Sequence, residues 1–144
     1  MPDIFVIGGP NGAGKTTVAM KLLPEGFHIR DFVNADSIAA GLSPFQPESV
    51  ALEAGRIMLN RIRALTEAKQ DFAFETTLAV RNFAPFLDQC RSDGYRIDLL
   101  SVWLPSVDLA LRRVQGRVAR GGHDVPQGVI RRRYDRGLSN FFEI

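Results

Sequence analysis

Residues 9–16, Gly-Pro-Asn-Gly-Ala-Gly-Lys-Thr, constrain this chain more than any other stretch. They fit the spacing G-x-x-x-x-G-K-[ST] at every fixed position. An apolar run, "DIFVIG" at 3–8, precedes them and reads as a buried parallel strand. "KTTVAMKLL" follows and reads as a helix up to Pro24. Glycines in such a loop allow backbone conformations that side chains forbid. Successive amides then turn inward into a nest for phosphate oxygens, and the next helix adds its positive end. Gly9, Pro10, Asn11, Gly12, Ala13, Gly14, Lys15, Thr16 and Thr17 are therefore expected to cradle a nucleoside triphosphate, with ATP first in line. Lys15 is expected on the β- and γ-phosphates, Thr16 on Mg²⁺ and Thr17 on the α-phosphate. The alternative, a chance glycine-rich turn, is disfavoured by the strand and helix around it.

Strand-like and helix-like segments alternate through the rest of the chain. Strands are expected at 28–36, 71–76 and 96–105, and helices at 47 to about 69, 80–92, from 107, and from the Asp124–Gln127 capping-box spacing to about Leu138. Val50, Ala54, Ile57, Met58, Arg61 and Leu65 lie at helical spacing along the long helix; Phe83, Phe86, Leu87 and Cys90 face inward on the next, closed by Gly94. Ser106 is placed to cap a helix with Val107, Leu111, Val114 and Val118 on one face. The pattern implies an α/β, three-layer fold of P-loop NTPase type: a parallel sheet of at least four strands, helices on both faces, right-handed crossovers and an arginine-rich lid. Its 144 residues suit one domain over 1–144. Trp103 and the ten phenylalanines are expected in the core.

No apolar run approaches the roughly 20 residues of a membrane helix, and "IFVIGG" is too short for a signal peptide. The lone Cys90 excludes an internal disulfide. Together these features point to the cytoplasm and to no membrane partner.

Ligands of a parallel sheet gather at the carboxyl ends of its strands. The second strand ends in Asn34-Ala35-Asp36 and the third in Glu75-Thr76-Thr77. Asp36 is the candidate general base for an acceptor hydroxyl. Its alternative is a cap, since Asp36 or Ser37 begins the short helix "SIAAGL". Glu75 is suited to hold Mg²⁺ through water or to bond acceptor hydroxyls. Thr76 and Thr77 are weaker acceptor contacts. Arg81 would steady a phosphate-bearing acceptor, or is a solvated helix residue.

Arginines outnumber lysines fifteen to three, and eight lie between Arg112 and Arg136. The guanidinium fork suits phosphate better than an ammonium does. Arg112, Arg113, Arg117 and Arg120 lie on and after the helix from 107, the last three near one face. They are expected, with the loop "RGGHDVP" and its glycine hinges, to close over the triphosphate. A solvated face or a nucleic-acid patch are the alternatives; the cluster lacks the interleaved aromatics of a single-strand binder, so nucleic acid is disfavoured. His123 has no partner at metal spacing and suits a lid or cap.

The stretches "GPNGAGKTT", "NADSIAAGLSP", "FETTLAVR", "VWLPS" and "RVARGGHDVPQGVIRRRYDRGLSNFF" resemble the small zeta-toxin-like P-loop kinases, from Phe5 to about Phe142. The resemblance implies ATP- or GTP-dependent phosphorylation of a hydroxyl with Mg²⁺. In the best-known members the acceptor is a nucleotide-sugar, UDP-N-acetylglucosamine. It implies that Asp36 is the base, that Glu75 and Thr77 bind acceptor, and that Arg113, Arg117 and Arg120 supply the lid. Toxin members are held inactive by a small helical antitoxin, which makes such a protein a candidate partner. They are also longer, and relatives continue past the position of "NFFEI" into a further strand. A shortened form, with an open sheet edge and a partly uncovered last helix, is therefore expected. Two other readings stand beside this one: a kinase for a nucleoside, shikimate-like or antibiotic acceptor, and a nucleotide-binding module without useful turnover.

Overall fold

In the computed structural model, residues 1–79, 83–122 and 124–141 are described. Strand β1 (Asp3–Gly8) leads through the glycine loop into helix α1 (Lys15–Gly26). Then come β2 (Phe32–Val33), α2 (Ala35–Leu42), a 3-10 turn (Pro47–Val50) and α3 (Ala51–Glu67). β3 (Phe72–Thr76), α4 (Phe83–Ser92), β4 (Arg96–Ser101), α5 (Val107–Ala119) and α6 (Gln127–Phe141) complete the order. The four strands form one parallel sheet in the order β2-β3-β1-β4. Gly8, the last residue of β1, pairs with Thr76 on one side and Ser101 on the other. The phosphate loop thus leaves from the middle of the sheet, between the ends of β3 and β4.

Alternation along the strands builds the layers. Ile4 and Val6 of β1, with Phe72 and Phe74 of β3, pack with Met58, Ile62 and Leu65 of α3 and Phe83, Leu87 and Cys90 of α4. Ile7 and Ala73 point the other way, onto Ala19 and Leu23 of α1. A third cluster joins Ala13 of the glycine loop to Leu104, to Ala110, Leu111 and Val114 of α5, and to Ile130 of α6. The phosphate loop is therefore packed against α5. The expected α/β architecture, a parallel sheet with helices on both faces, is the one observed.

Several expectations shift at the ends of elements. The strand expected at 28–36 pairs only at Phe32–Val33, because Ile29 is drawn onto α1 by an amide bond to Leu23 O and Asn34 already caps α2. Helix α1 runs through Pro24 to Gly26. The buried face of α3 is Ala54, Met58, Ile62 and Leu65; Ile57 is exposed, and Arg61 reaches Asp31 at 2.9 Å. β4 stops at Ser101 and is an edge strand. Ser106 caps α5 as expected, accepting from the Leu109 amide at 3.2 Å, but Ala110 replaces Val107 and Val118 on the buried face. Helix α6 begins at Gln127, and the Val129 and Ile130 amides donate to Pro126 O. Gly94 closes α4 at φ 97°. Phe45 is 97% exposed and Phe27 is half-exposed, so not all phenylalanines are core; Trp103 lies half-buried, 5.5 Å from the Tyr134 ring.

Candidate functional site

The loop geometry follows from its glycines. Gly12 (φ 81°) and Gly14 (φ 92°) occupy the left-handed region. A Cβ at Gly12 would also press on Ala110 O and Arg113 Cβ at 3.1 Å, and one at Gly9 would overlap Val102 O. Gly14 ends the loop as the residue before α1, with no side-chain cap and open space beside it. Lys15 is buried, and its Nζ donates to Gly9 O at 2.8 Å and Pro10 O at 2.9 Å. Burial pulls its ammonium down to about 8, against the opposing pull of the Glu75 and Asp36 carboxylates. Asn11 is buried too, and its Oδ1 has no hydrogen-bond partner. Thr17 is exposed on the cavity wall.

Across from the loop, Thr16 Oγ1 donates to Glu75 Oε2 at 2.7 Å and accepts from Asn34 Nδ2 at 3.3 Å. Asn34 Oδ1 accepts from the Asp36 and Ser37 amides at 2.8 and 3.3 Å. The cap of α2 is therefore Asn34, correcting the alternative that gave this role to Asp36 or Ser37. Asp36, in the first turn of α2, lines the same cavity as Lys15 and Glu75. Burial raises the Glu75 carboxyl above its ordinary value, while the Thr16 hydroxyl and the Lys15 charge oppose the rise. A hydroxyl and a carboxylate this close are hard oxygen donors at the mouth of a phosphate loop. They fit Mg²⁺, which takes few protein ligands and completes its shell with water and phosphate. Among the described residues no cluster of three acidic, histidine or cysteine side chains offers a closed metal cage.

Thr76 and Thr77 follow Glu75 at the end of β3. Thr76 Oγ1 accepts from the Leu78 amide at 3.0 Å, and Thr76 O accepts from the Gly9 amide at 3.2 Å. Thr77 O abuts Gly137 of α6, where a Cβ would overlap it. Neither lines the cavity. Arg81 and His123 lie outside the described residues.

Arg113 and Arg117, three and seven residues after Ala110, flank the face of α5 that packs on the loop, and both line the cavity beside it. These two, with Arg112 and Arg120, line a cavity of about 700 Å³ shared with Lys15, Asp36 and Glu75. The glycines after α5 form a tight end as much as a hinge: Gly121 is left-handed at φ 84°, and the Gly122 amide donates to Arg117 O at 2.8 Å. Helix α6 adds a group that motif reasoning passed over. Arg133 is half-buried; burial lowers its guanidinium from the ordinary value, and the Asp36 carboxylate opposes this. Arg133 also contributes to the lowering at Lys15. Its spacing puts it on one helical face with Ile130 and Gly137, but does not say what that face meets.

The solved structures that resemble this fold have sequences under a quarter identical. The AvrRxo1-ORF1:-ORF2 structure with ATP matches at TM-score 0.76 and 18% identity, over 99% of this chain and 49% of that one. A putative kinase from Chloroflexus aurantiacus matches at 0.69 and 16%, over 88% and 73%. The PezAT toxin-antitoxin system of Streptococcus pneumoniae matches at 0.64 and 20%, over 83% and 55%. This chain thus spans about half of the AvrRxo1 and PezAT chains. An uncharacterized protein of Haemophilus influenzae is 24% identical over 129 residues, 88% of each chain. Nucleotide binding is what a P-loop kinase-like fold implies, and with residues 4–143 matching the AAA domain family (AAA_33), the chain belongs to that family.

Proposed function

We propose that the protein is a phosphotransferase that moves the γ-phosphate of ATP to a hydroxyl of a small molecule, a nucleotide-sugar such as UDP-N-acetylglucosamine in the first instance. The observation that carries this reading is that one cavity is lined by Lys15, Thr16, two carboxylates and four arginines. The loop amides and Lys15 bind the phosphates; Thr17 contacts the α-phosphate. Asp36 takes the acceptor proton as the acceptor oxygen bonds to the γ-phosphorus and the bond to the bridging oxygen breaks, releasing ADP. Arg113, Arg117 and Arg120 hold the charge that develops on the transferring group. Thr16 and Glu75 would hold Mg²⁺, which neutralises phosphate charge when bound. GTP is the second donor to offer.

Three further lines support parts of this reading. The AvrRxo1 neighbour was solved with ATP, and the Chloroflexus neighbour is described as a putative kinase. PezAT, a toxin-antitoxin system, makes an antitoxin-like protein a partner to look for. Among the described residues no helix is long and apolar enough to cross a membrane.

Purified protein with ATP and Mg²⁺, offered a panel of hydroxyl acceptors, tests the proposal. ADP release that requires UDP-N-acetylglucosamine supports it in full. Release with another acceptor keeps the kinase and replaces the substrate. ATP binding without acceptor-dependent release rejects the transfer reaction.

A further inference from the structure

Helix α6 touches the outlets of two strands. At β3, Gly137 packs so closely on Thr77 O that no side chain fits, and Asn140 Nδ2 donates to Leu78 O at 2.6 Å. At β4, Tyr134 Oη donates to Leu104 O at 2.8 Å. Arg133, on the same helix, feels the charge of the Asp36 carboxylate. Between these contacts sits a backbone outlier. Leu78 has φ 63°, a left-handed conformation that is unfavourable for a branched side chain and persists only where its surroundings over-determine it. Its amide donates to Thr76 Oγ1, its carbonyl accepts from Asn140, and its buried side chain rests on Gly8, where a Cβ would lie 2.7 Å from Leu78 Cδ1. One turn therefore joins the root of the phosphate loop, the strand that carries Glu75 and the helix that carries Arg133.

We propose that Thr76 and Asn140 are positioning residues that clamp the Leu78 turn, keeping Glu75 and Arg133 in register with Lys15. Gly137 permits the close approach the clamp requires. The strain falls where three site-bearing elements meet, not in a remote loop, and both polar groups of the Leu78 backbone are tied by side chains from different elements. Register matters because a misplacement of about 1 Å can cost on the order of a hundredfold in rate. The kinetic part of the test rests on the phosphotransferase reading above; the backbone part does not.

The test uses Asn140→Ala, Asn140→Asp (the same shape without the donor), Thr76→Val, Thr76→Ser and, as a control, exposed Ser139→Ala. Hydrogen exchange of the Leu78 amide is followed by NMR in the ligand-free protein. It is expected to speed at least about tenfold in both Asn140 variants and to stay unchanged in Ser139→Ala. Turnover is expected to fall about tenfold or more in the Asn140 variants and Thr76→Val, with ATP affinity within about threefold of wild type. Thr76→Ser, which keeps the accepting hydroxyl, is expected to restore both. Unchanged Leu78 exchange in Asn140→Asp overturns the clamp. Equal impairment in Thr76→Ser and Thr76→Val also overturns it, because packing alone would then explain the loss. A wild-type protein that transfers nothing defeats the kinase reading, and the exchange result still decides the clamp.

Discussion

Thr16 Oγ1 and Glu75 Oε2 lie 2.7 Å apart although 59 residues separate them in the chain. The hydroxyl begins the helix after the phosphate loop, and the carboxylate ends the neighbouring strand. Register pairs Ile7 with Glu75 and Gly8 with Thr76, so β1 delivers the loop beside the acid. In the absence of ligand the pair satisfies itself. With Asn34 on one lone pair, the hydroxyl oxygen keeps a second lone pair for a cation without giving up that bond.

Glu75→Gln separates the two roles of this carboxylate. Burial raises its folded-state value above 4.5, so the native state holds more protons than the unfolded chain as pH rises past the ordinary range. Stability is then lost with rising pH through that window. The ligand-free Gln variant is expected to melt higher than wild type at neutral pH and to lack this loss, while needing more Mg²⁺ for nucleotide binding. Thermal melts against pH and Mg²⁺ titrations check both.

Lys15 makes the opposite prediction for protons. Its value of about 8 in the ligand-free protein reflects burial. A triphosphate beside the ammonium favours the charged form and raises that value. ATP binding at about pH 8.5 is therefore expected to take up protons, and less so near pH 6.5, where Lys15 is already charged. Calorimetry in buffers of different ionisation enthalpy measures the uptake. Lys15→Ala is expected to abolish binding.

Asp36→Asn tests the base. The variant keeps the shape of the first turn of α2, whose cap is Asn34. ATP affinity is expected to stay within about threefold, and turnover to fall on the order of a hundredfold or more. Full turnover in this variant removes Asp36 from the role.

Arg133→Met keeps bulk on α6 and removes the charge that faces Asp36 and Lys15. Turnover is expected to drop by at least about tenfold. Arg132→Met, one position along on the exposed side of the helix, is expected to change it less than twofold. Equal effects from the two would mean that α6 contributes net charge alone.

The backbone of the glycine loop was legible because it is set locally: Gly12 and Gly14 adopt the left-handed conformations that the motif requires. The alternation of β3 was legible too, since Phe72 and Phe74 face one layer and Ala73 the other. Helical spacing at Ile57 and Arg61 did not show that α3 buries Met58 and Ile62 instead. Hydropathy cannot say which flank of a wide apolar stripe meets the sheet, and Arg61 is held outward by Asp31. Thr76 and Thr77 read as acceptor contacts because they follow Glu75; that Thr76 also accepts from the Leu78 and Gly9 amides depends on the fold around it.

By itself, the sequence determined the order of elements, the parallel sheet and the anion-binding loop, because these depend on periodicity and on conformations available within a few residues. Only the tertiary structure decided that Asn34 rather than Asp36 caps α2, that Arg133 stands with Asp36 and Lys15, and that α6 secures the Leu78 turn. Those relationships depend on sheet register and on how closely two helices approach, distances set by residues far apart in the chain, which no local pattern records.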